Sequence, residues 1–220
     1  MKRILKKLFF SSTKPNRILS GVSSGMLTNY DPKDRTLHLL GLYEREIYPF
    51  LEKAMKRSET LVDIGANDGY YAVAFAKQGG KKVIVCEPSP IEKAKLIQNM
   101  NLNGFKEMKD FVLIDKFVSD TSNDKEISIN ELIGDRKSAL ILIDVDGGEK
   151  KIIEGFNFNS GVSIDWLIET HTIELEEAIV ALLISKGYVV SIIRSAWWRL
   201  IFPEQRPLPH NRWLFATKNP

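Results

Sequence analysis

The stretch TLVDIGANDGYY occupies residues 60–71 and has the pattern of a buried strand, a glycine turn and the start of a helix. Its first five residues are mainly apolar, and an Ala- and Phe-rich helical pattern begins at Tyr70. Gly65 and Gly69 lack a Cβ atom, so the backbone at these two positions can take a positive φ and approach a ligand closely. The following helix offers free N–H groups in its first turn. We therefore predict the opening of a nucleotide-binding βαβ unit.

The charges around this turn indicate what kind of ligand it binds. The glycine spacing differs from the G-x-G-x-x-G of dinucleotide sites, and the acids Asp63 and Asp68 would repel a diphosphate. They suit a ligand that carries an ammonium and a sulfonium, and S-adenosylmethionine carries both. A second predicted strand, KVIVC at 82–86, ends in Glu87, where an acid can accept hydrogen bonds from ribose hydroxyls. The sequence therefore predicts S-adenosylmethionine as the cofactor.

The amino-acid composition indicates a single hydrophobic core and does not identify a binding partner. The chain has 220 residues and 44% hydrophobic content, enough for a single globular core. Its net charge of +3 does not require a nucleic-acid partner, although it does not exclude one. The single cysteine, Cys86, lies in an apolar strand pattern typical of a buried structural thiol. Since no intrachain disulfide can form, we expect a reducing, cytoplasmic compartment.

The first residues, MKRILKKLFFSS, mix basic and apolar side chains. As a helix this leader would be basic and amphipathic, a pattern that can make weak contact with an anionic membrane surface. The alternative is a packed or frayed leader helix. Its longest uncharged apolar run, Leu8 to Phe10, is too short for a membrane span or a signal-peptide core.

The rest of the chain alternates between helical and strand patterns, which predicts an α/β fold with a largely parallel sheet covered on both faces. We expect a helix at 36–57, in which Pro49 either breaks the helix into two pieces or starts the second piece. His38 is expected at the surface of this helix or as a capping residue. Further strands are expected at 111–118, 140–144 and 164–168, a connecting segment at 127–133, helices at 91–102, 150–154 and 172–186, and an antiparallel closing pair at 188–193 and 213–217. Ligands gather at the carboxyl ends of such strands, where the following acids fall: Asp63, Glu87, Asp120, Asp144 and Glu169.

Four motifs occur in an order and spacing that resemble a known family. DIGANDGYY, CEPSP before a helix ending in NMNLN, IDVDGGEKKIIEGF and LIETH resemble the motifs of FkbM-type S-adenosylmethionine-dependent methyltransferases. GYVV and WLFATK resemble the closing hairpin of that family. The resemblance spans residues 58 to 218. It implies a class I methyltransferase Rossmann-like fold with seven strands, a methyltransferase domain at 58–220 and an N-terminal leader and helical arm at 1–57 packed on it.

The resemblance also implies roles for individual residues. It assigns the bend to the methionine end of the cofactor, Glu87 to its ribose, and Pro88 and Ser89 to the turn beside the adenine. The bend residues are Asp63, Gly65, Ala66, Asn67 and Gly69. IDVDGGE departs from the more usual IDVEGAE at Asp146 and Gly148, which puts in doubt any role that needs a longer carboxylate at 146. From its place at a strand exit, Asp120 is expected to reach the adenine.

Family members are usually O-methyltransferases, many of them acting on sugar hydroxyls, and a hydroxyl acceptor needs a group that takes its proton. His171 is the candidate base by residue type and position, and the alternative is that it orients Glu169 or caps the next helix. Asp144 is the second catalytic candidate, as a base, as a partner for the cofactor's ammonium group or as a group that orients the acceptor. No metal is assigned, because close acids at strand ends more often serve cofactors and helix caps. Mg²⁺ or Mn²⁺ remains an alternative, with these ligands: Asp144, Asp146, Glu149 and His171.

Acceptor recognition is expected from segment 195–212, SAWWRLIFPEQRPLPHNR, because aromatic rings pack on sugars or bases and arginines bind anionic groups. Trp197 and Trp198 are either part of this surface or part of the hairpin core, and His210 is expected in a turn. The leading hypothesis is O-methylation of a hydroxyl on a sugar, glycan or glycosylated small molecule. The alternatives are methylation of RNA or protein by the same fold, or a binding module without turnover that serves as a partner subunit.

Overall fold

The computed structural model describes residues 10–79, 81–194 and 210–218. Within these ranges the chain forms a central seven-stranded sheet, two small two-stranded sheets, seven α-helices and one 3-10 helix. The strands are β1 Asn16–Arg17, β2 Leu27–Thr28, β3 Thr60–Ile64, β4 Lys82–Cys86, β5 Val112–Ile114, β6 Phe117–Ser119, β7 Glu126–Ser128, β8 Ser138–Ile143, β9 Ser163–Thr170, β10 Val189–Ile193 and β11 Arg212–Thr217. The α-helices are α1 Thr36–Leu40, α2 Tyr48–Arg57, α3 Tyr70–Ala76, α4 Pro90–Leu102, α5 Ile129–Ile133, α6 Glu149–Glu154 and α7 Ile173–Ser185, with the 3-10 helix at Arg45–Ile47.

The main sheet has the strand order β10-β11-β9-β8-β3-β4-β5. Neighbouring strands from β9 to β5 are parallel, and β11 runs antiparallel between β9 and β10. Strand β3 is buried along its whole length, as expected for a strand with covered faces. The mostly parallel sheet with an antiparallel C-terminal pair at one edge confirms the predicted fold class.

Two hydrophobic clusters occupy the two faces of the sheet. Helices α2, α3 and α4 pack on one face, with Leu51, Phe75 and Leu96 fully buried. Helices α5, α6 and α7 pack on the other, around the buried Trp166. Side chains from the N-terminal arm, including Met26, belong to the first cluster. The arm therefore completes the core on that face.

Three predicted elements were wrong in their extent. Segment 111–118 is two strands, because the chain leaves the main sheet at Asp115 and Lys116 and β6 pairs instead with β7 in a separate parallel sheet. Segment 127–133 is the end of β7 and helix α5, whose first turn is capped by the Ser128 hydroxyl. The predicted helix at 36–57 is α1, the 3-10 helix and α2, so it is interrupted earlier than expected. The alternative in which Pro49 starts the second piece is confirmed, because Pro49 lies in the first turn of α2.

The break after α1 has a steric cause at Gly41. This residue has φ +72°, and a Cβ atom there would lie 1.9 Å from the carbonyl oxygen of Ser20. Only glycine fits such a position.

In the described part of the chain, no helix has both the length and the apolar content that a membrane crossing needs. The predicted membrane-contacting leader lies outside the described residues, apart from its last positions.

Candidate functional site

The register of the sheet brings four chain exits together at its carboxyl edge. Ile64 of β3 pairs with the last residue of β4 and with the last residue of β8, and that residue of β8 pairs in turn with β9. The residues that follow, Gly65, Glu87 and Asp144, therefore emerge side by side, and Glu169 lies next to Asp144. Ligands of open α/β sheets bind at this edge, so these four residues lie at the expected place.

A cavity of about 740 Å³ opens beside β3 and β4 at this edge. Its apolar lining residues include Val118, Val145, Ile152 and Pro88. The complete lining is Ile64, Gly65, Asn67, Cys86, Glu87, Pro88, Glu92, Lys116, Phe117, Val118, Asp144, Val145, Asp146, Gly148 and Ile152. Its volume is in the range of cofactor-sized sites.

Glu87 is held in a fixed orientation at this cavity by two backbone groups. Its Oε2 accepts a hydrogen bond from the Asn67 N–H at 2.9 Å, and its Oε1 accepts one from the Ser89 N–H at 2.8 Å. A carboxylate has about four lone-pair sites, so each oxygen can accept a second bond from a ligand. The Ser89 hydroxyl accepts from the Glu92 N–H and caps α4. Glu87 thus bridges the glycine bend and the start of α4.

The bend itself requires its glycines. Gly65 has φ +79°, and a Cβ atom at this position would lie 2.0 Å from the carbonyl oxygen of Asp144. Gly69 has φ +80° and precedes α3, while Asn67 takes a positive φ of 48°. Ala66 is buried between them. The backbone here is therefore pressed against β8 and leaves room for a ligand on its other side.

A second cavity of about 170 Å³ continues from the first, and three residues line both: Gly65, Asn67 and Asp144. Asp63 lines this second cavity and is 1% exposed. Within the described residues, neither oxygen of its carboxylate accepts a hydrogen bond. Burial, with smaller contributions from the charges of Glu87 and Asp68, raises the pKa of Asp63 to about 7. An isolated buried carboxylate of this kind favours a cationic ligand.

Replacing Asp63 with asparagine is expected to stabilise the ligand-free protein at pH 8 but not at pH 4. Because burial raises the pKa of Asp63 from 3.8 to about 7, the stability that its protonated form contributes is full below about pH 4 and is lost as the pH rises through 7. Asparagine carries no charge, so at pH 8 we expect a gain of roughly 2 kcal/mol, or about 4–8 °C in Tm. Thermal unfolding of both proteins at the two pH values measures it. A lower Tm at pH 8 would contradict the unpaired state of Asp63.

Side chains of the N-terminal arm close the second cavity. The Tyr30 hydroxyl donates to the Asp68 carboxylate at 2.7 Å, and Arg35 lies 3.6 Å from the same carboxylate. His38 stacks on Tyr43 with ring centroids 3.8 Å apart. The prediction of a surface or capping role for His38 was wrong, because it is 6% exposed and lines the cavity. Its helical context gave no signal for this, since the fold of the arm over the sheet brings it there.

The predicted catalytic residue His171 lies between two buried acids. Its Nδ1 is 3.0 Å from Oε1 of Glu149, and its Nε2 is 3.3 Å from Oε2 of Glu169. Their hydrogen bonds, that of Glu149 first, raise the pKa of His171 to about 10, so the imidazole is protonated at neutral pH. A base must first lose this proton. Asp144 lies in the same group, since its carboxylate and the donor atoms of Glu169 and His171 fall within 4.8 Å of one another.

Other predicted residues lie farther from the cavities. Asp120 does not line either of them, and its carboxylate is 3.3 Å from Nζ of Lys151. Phe117 and Val118 occupy that end of the large cavity instead. Trp197 and Trp198 lie outside the described residues, as do the arginines at 199 and 206. His210 is described and lies 3.2 Å from Glu176, away from the cavities.

Sequence reasoning missed the arm residues and one role of Glu149. Arg35 and Tyr43 line the second cavity, yet the distance in sequence between the arm and the bend hides this. Glu149 was considered as a metal ligand, whereas it contacts the histidine that follows β9. Its position directly after the DVDGG loop was the available signal, because helix N-termini after parallel strands point to the carboxyl edge.

Comparisons with solved structures identify the fold. A precorrin-6y methyltransferase from Geobacter metallireducens aligns with a TM-score of 0.54 and 14% identity over 79% of this chain and 88% of that one. An rRNA methylase from Streptococcus thermophilus aligns with a TM-score of 0.53 and 13% identity over 80% and 97%. A ribosomal protein methylase from Lactobacillus delbrueckii subsp. bulgaricus gives 0.52 and 16% over 79% and 76%.

At these identities the likeness concerns the fold and not the acceptor, which differs among the three proteins. No family model matches the chain, and no curated protein sequence matches it either. The sheet order, the antiparallel C-terminal pair and these structural neighbours together show that the chain has the class I methyltransferase fold.

Proposed function

We propose that this protein is an S-adenosylmethionine-dependent methyltransferase that methylates a hydroxyl group of a sugar, a glycan or a glycosylated small molecule. The observation that carries the cofactor assignment is the carboxylate of Glu87, fixed by two backbone N–H groups at the mouth of the large cavity. The unpaired carboxylate of Asp63 lies at the far side of the glycine bend. These two acids match two separate parts of one extended cofactor, its ribose and its ammonium group.

From the linings of the two cavities we assign each part of the cofactor to a region of the site as part of this proposal. The adenine would lie against the apolar lining residues Val118, Val145 and Ile152. The ribose belongs at Glu87, and the methionine end belongs on the glycine bend, with its ammonium group toward Asp63. This order directs the sulfonium toward Asp144, which lines both cavities. The methyl group would therefore be presented beside the Asp144, Glu169 and His171 group.

Methyl transfer from a sulfonium is an in-line displacement, so most of the acceleration comes from alignment of acceptor oxygen, methyl carbon and sulfur. A hydroxyl acceptor also has to lose a proton, and a positioned group that receives it contributes about 10²- to 10⁴-fold. Asp144 is placed to orient the hydroxyl or accept its proton. His171, protonated between its two acids, orients the Glu169 carboxylate in this arrangement and stays the second candidate base.

The hydroxyl acceptor rests on the FkbM-type resemblance of the ordered motifs, and this subfamily assignment is part of the proposal. The three similar folds act on a small molecule, an RNA and a protein according to their names, so the fold leaves the acceptor open. Transfer of tritiated methyl groups from labelled cofactor onto a glycan library, total RNA and a protein extract tests it. Labelled glycan supports the proposal, and label only in RNA or protein overturns the acceptor class. Cofactor binding without any transfer would indicate a partner subunit.

The pH dependence of cofactor affinity provides a separate prediction about Asp63. Since burial, with smaller contributions from the charges of Glu87 and Asp68, raises the pKa of Asp63 to about 7, the ionised form that attracts an ammonium group is scarce at pH 5.5. We expect the affinity for S-adenosylhomocysteine to rise about tenfold between pH 5.5 and 7.5. Asp63→Asn should remove most of this dependence. Calorimetry across the range measures both proteins, and an equal slope in the variant would exclude Asp63 as the cause.

A further inference from the structure

We propose that Asp144, Glu169 and His171 form a binding site for a divalent cation of the Mn²⁺ type beside the cofactor. The role given to the cation rests on the proposed function, whereas the arrangement of its ligands does not. One donor atom from each residue lies within 4.8 Å of the other two. Two carboxylates and one imidazole are donors that Mn²⁺ and related divalent ions accept in proteins.

The strand register explains why these donors meet. Asp144 follows β8 and Glu169 lies near the end of the neighbouring strand β9, one residue beyond the paired Ile168. His171 comes two residues later, at the exit of the same strand. Parallel strands therefore deliver all three side chains to one point of the carboxyl edge. The side chain of His171 is 10% exposed, so this point is largely screened from bulk water.

Glu149 gives the second, independent observation. It is fully buried, and its Oε1 lies 3.0 Å from Nδ1 of His171. A proton on Nδ1 that is donated to this carboxylate leaves Nε2 as the ring nitrogen available to a metal, the usual carboxylate-histidine-metal arrangement. Nε2 lies 3.3 Å from the Glu169 carboxylate, and a metal ion bound at Nε2 would take the place of the Nε2 proton while Glu149 keeps the proton on Nδ1.

A cation at this point would have a defined chemical purpose. Asp144 lines both cavities, so the site adjoins the place where the methyl group is presented. A bound divalent ion lowers the pKa of a coordinated hydroxyl and holds it in position. The residues of the chain would bind the ion, with Glu149 orienting the His171 ring. The sequence alone suggested Asp146 and Glu149 as ligands, and the geometry replaces them with Glu169.

Binding of Mn²⁺ to the full chain, stripped of metal with a chelator, tests the site directly. The electron paramagnetic resonance signal of free Mn²⁺ should fall with a stoichiometry of about one ion per chain below about 1 mM. Asp144→Asn and His171→Gln should each weaken binding about tenfold or more, and Glu149→Gln should weaken it by about tenfold. Asp146→Asn, a matched carboxylate two residues from Asp144 that lines the same cavity, should leave the affinity within about twofold of wild type.

The outcomes separate this site from the cofactor site. An undiminished Mn²⁺ signal with the wild-type chain, or equal binding by Asp144→Asn and wild type, overturns the cation site. S-adenosylhomocysteine binding in the presence of chelator reports on the cofactor proposal alone, so either proposal can fail while the other stands. Circular dichroism and Tm identify a variant that has not folded. In that case Asp144→Asn, at the partly exposed position, decides.

Discussion

Replacing His171 with alanine is expected to lower turnover by about 100-fold or more while the affinity for S-adenosylhomocysteine stays within about twofold. His171 lies 3.0 Å from Glu149 and 3.3 Å from Glu169 and beside Asp144. It does not line either of the two cavities. Under the proposed function, its loss should therefore disturb the group assigned to the acceptor hydroxyl and leave the cofactor contacts intact. Single-turnover rates with labelled cofactor and separate binding titrations measure the two effects.

The His171→Ala variant has a matched control and is expected to be less stable than the wild type. The buried carboxylates of Glu149 and Glu169 lose the protonated imidazole between them, so we expect a lower Tm. His171→Gln replaces the alanine variant if the latter does not fold. His210→Ala is the control, because His210 is also largely buried and lies 3.2 Å from an acid, Glu176, outside the cavities. It should retain turnover. Retained turnover in His171→Ala would remove the residue from the catalytic assignment.

Replacing Glu87 with alanine is expected to weaken the binding of S-adenosylmethionine by about 100-fold. The carboxylate accepts hydrogen bonds from Asn67 on one side and Ser89 on the other. The variant would lose the contact between the bend and α4 and, under the proposed assignment, its bonds to the ribose hydroxyls. Charge-assisted hydrogen bonds of this kind contribute about 1.5–3 kcal/mol each. Equilibrium dialysis with labelled cofactor measures the change.

Glu59 provides the control for this experiment. It is an exposed glutamate immediately before β3, at the opposite end of that strand from the site. Glu59→Ala should bind the cofactor as the wild type does. If Glu87→Ala also binds within about threefold of the wild type, with an unchanged Tm, the ribose assignment is wrong.

The sequence predicts the core of this fold well because its central strands are bounded by strong local signals. The strand ending at Ile64 and the helix beginning at Tyr70 are separated by glycines whose positive φ values the structure requires. The bend and Glu87 were correctly placed together, since adjacent parallel strands of equal register bring their exits to one edge. The single predicted strand at 111–118 was wrong, because an apolar run carries no signal for which sheet it joins.

The parts of the site that could not be predicted depend on contacts between distant segments. The burial of His38 and its place in the cavity follow from the arm folding over the bend, where Tyr30 reaches Asp68 across 38 positions. The raised pKa of Asp63 depends on complete burial and on the lack of any hydrogen-bond partner in the described residues. Neither property can be deduced from composition or periodicity. The residues that recognise the acceptor stay a prediction, since the tryptophans at 197 and 198 lie outside the described ranges.

The structure of the full chain with S-adenosylhomocysteine bound tests the central claim most directly. We predict that both ribose hydroxyls lie within about 3.2 Å of the Glu87 carboxylate, that the adenine contacts Val145, and that the amino group lies on the side of Asp63. Adenosine bound elsewhere, or a ribose that does not reach Glu87, would contradict the account.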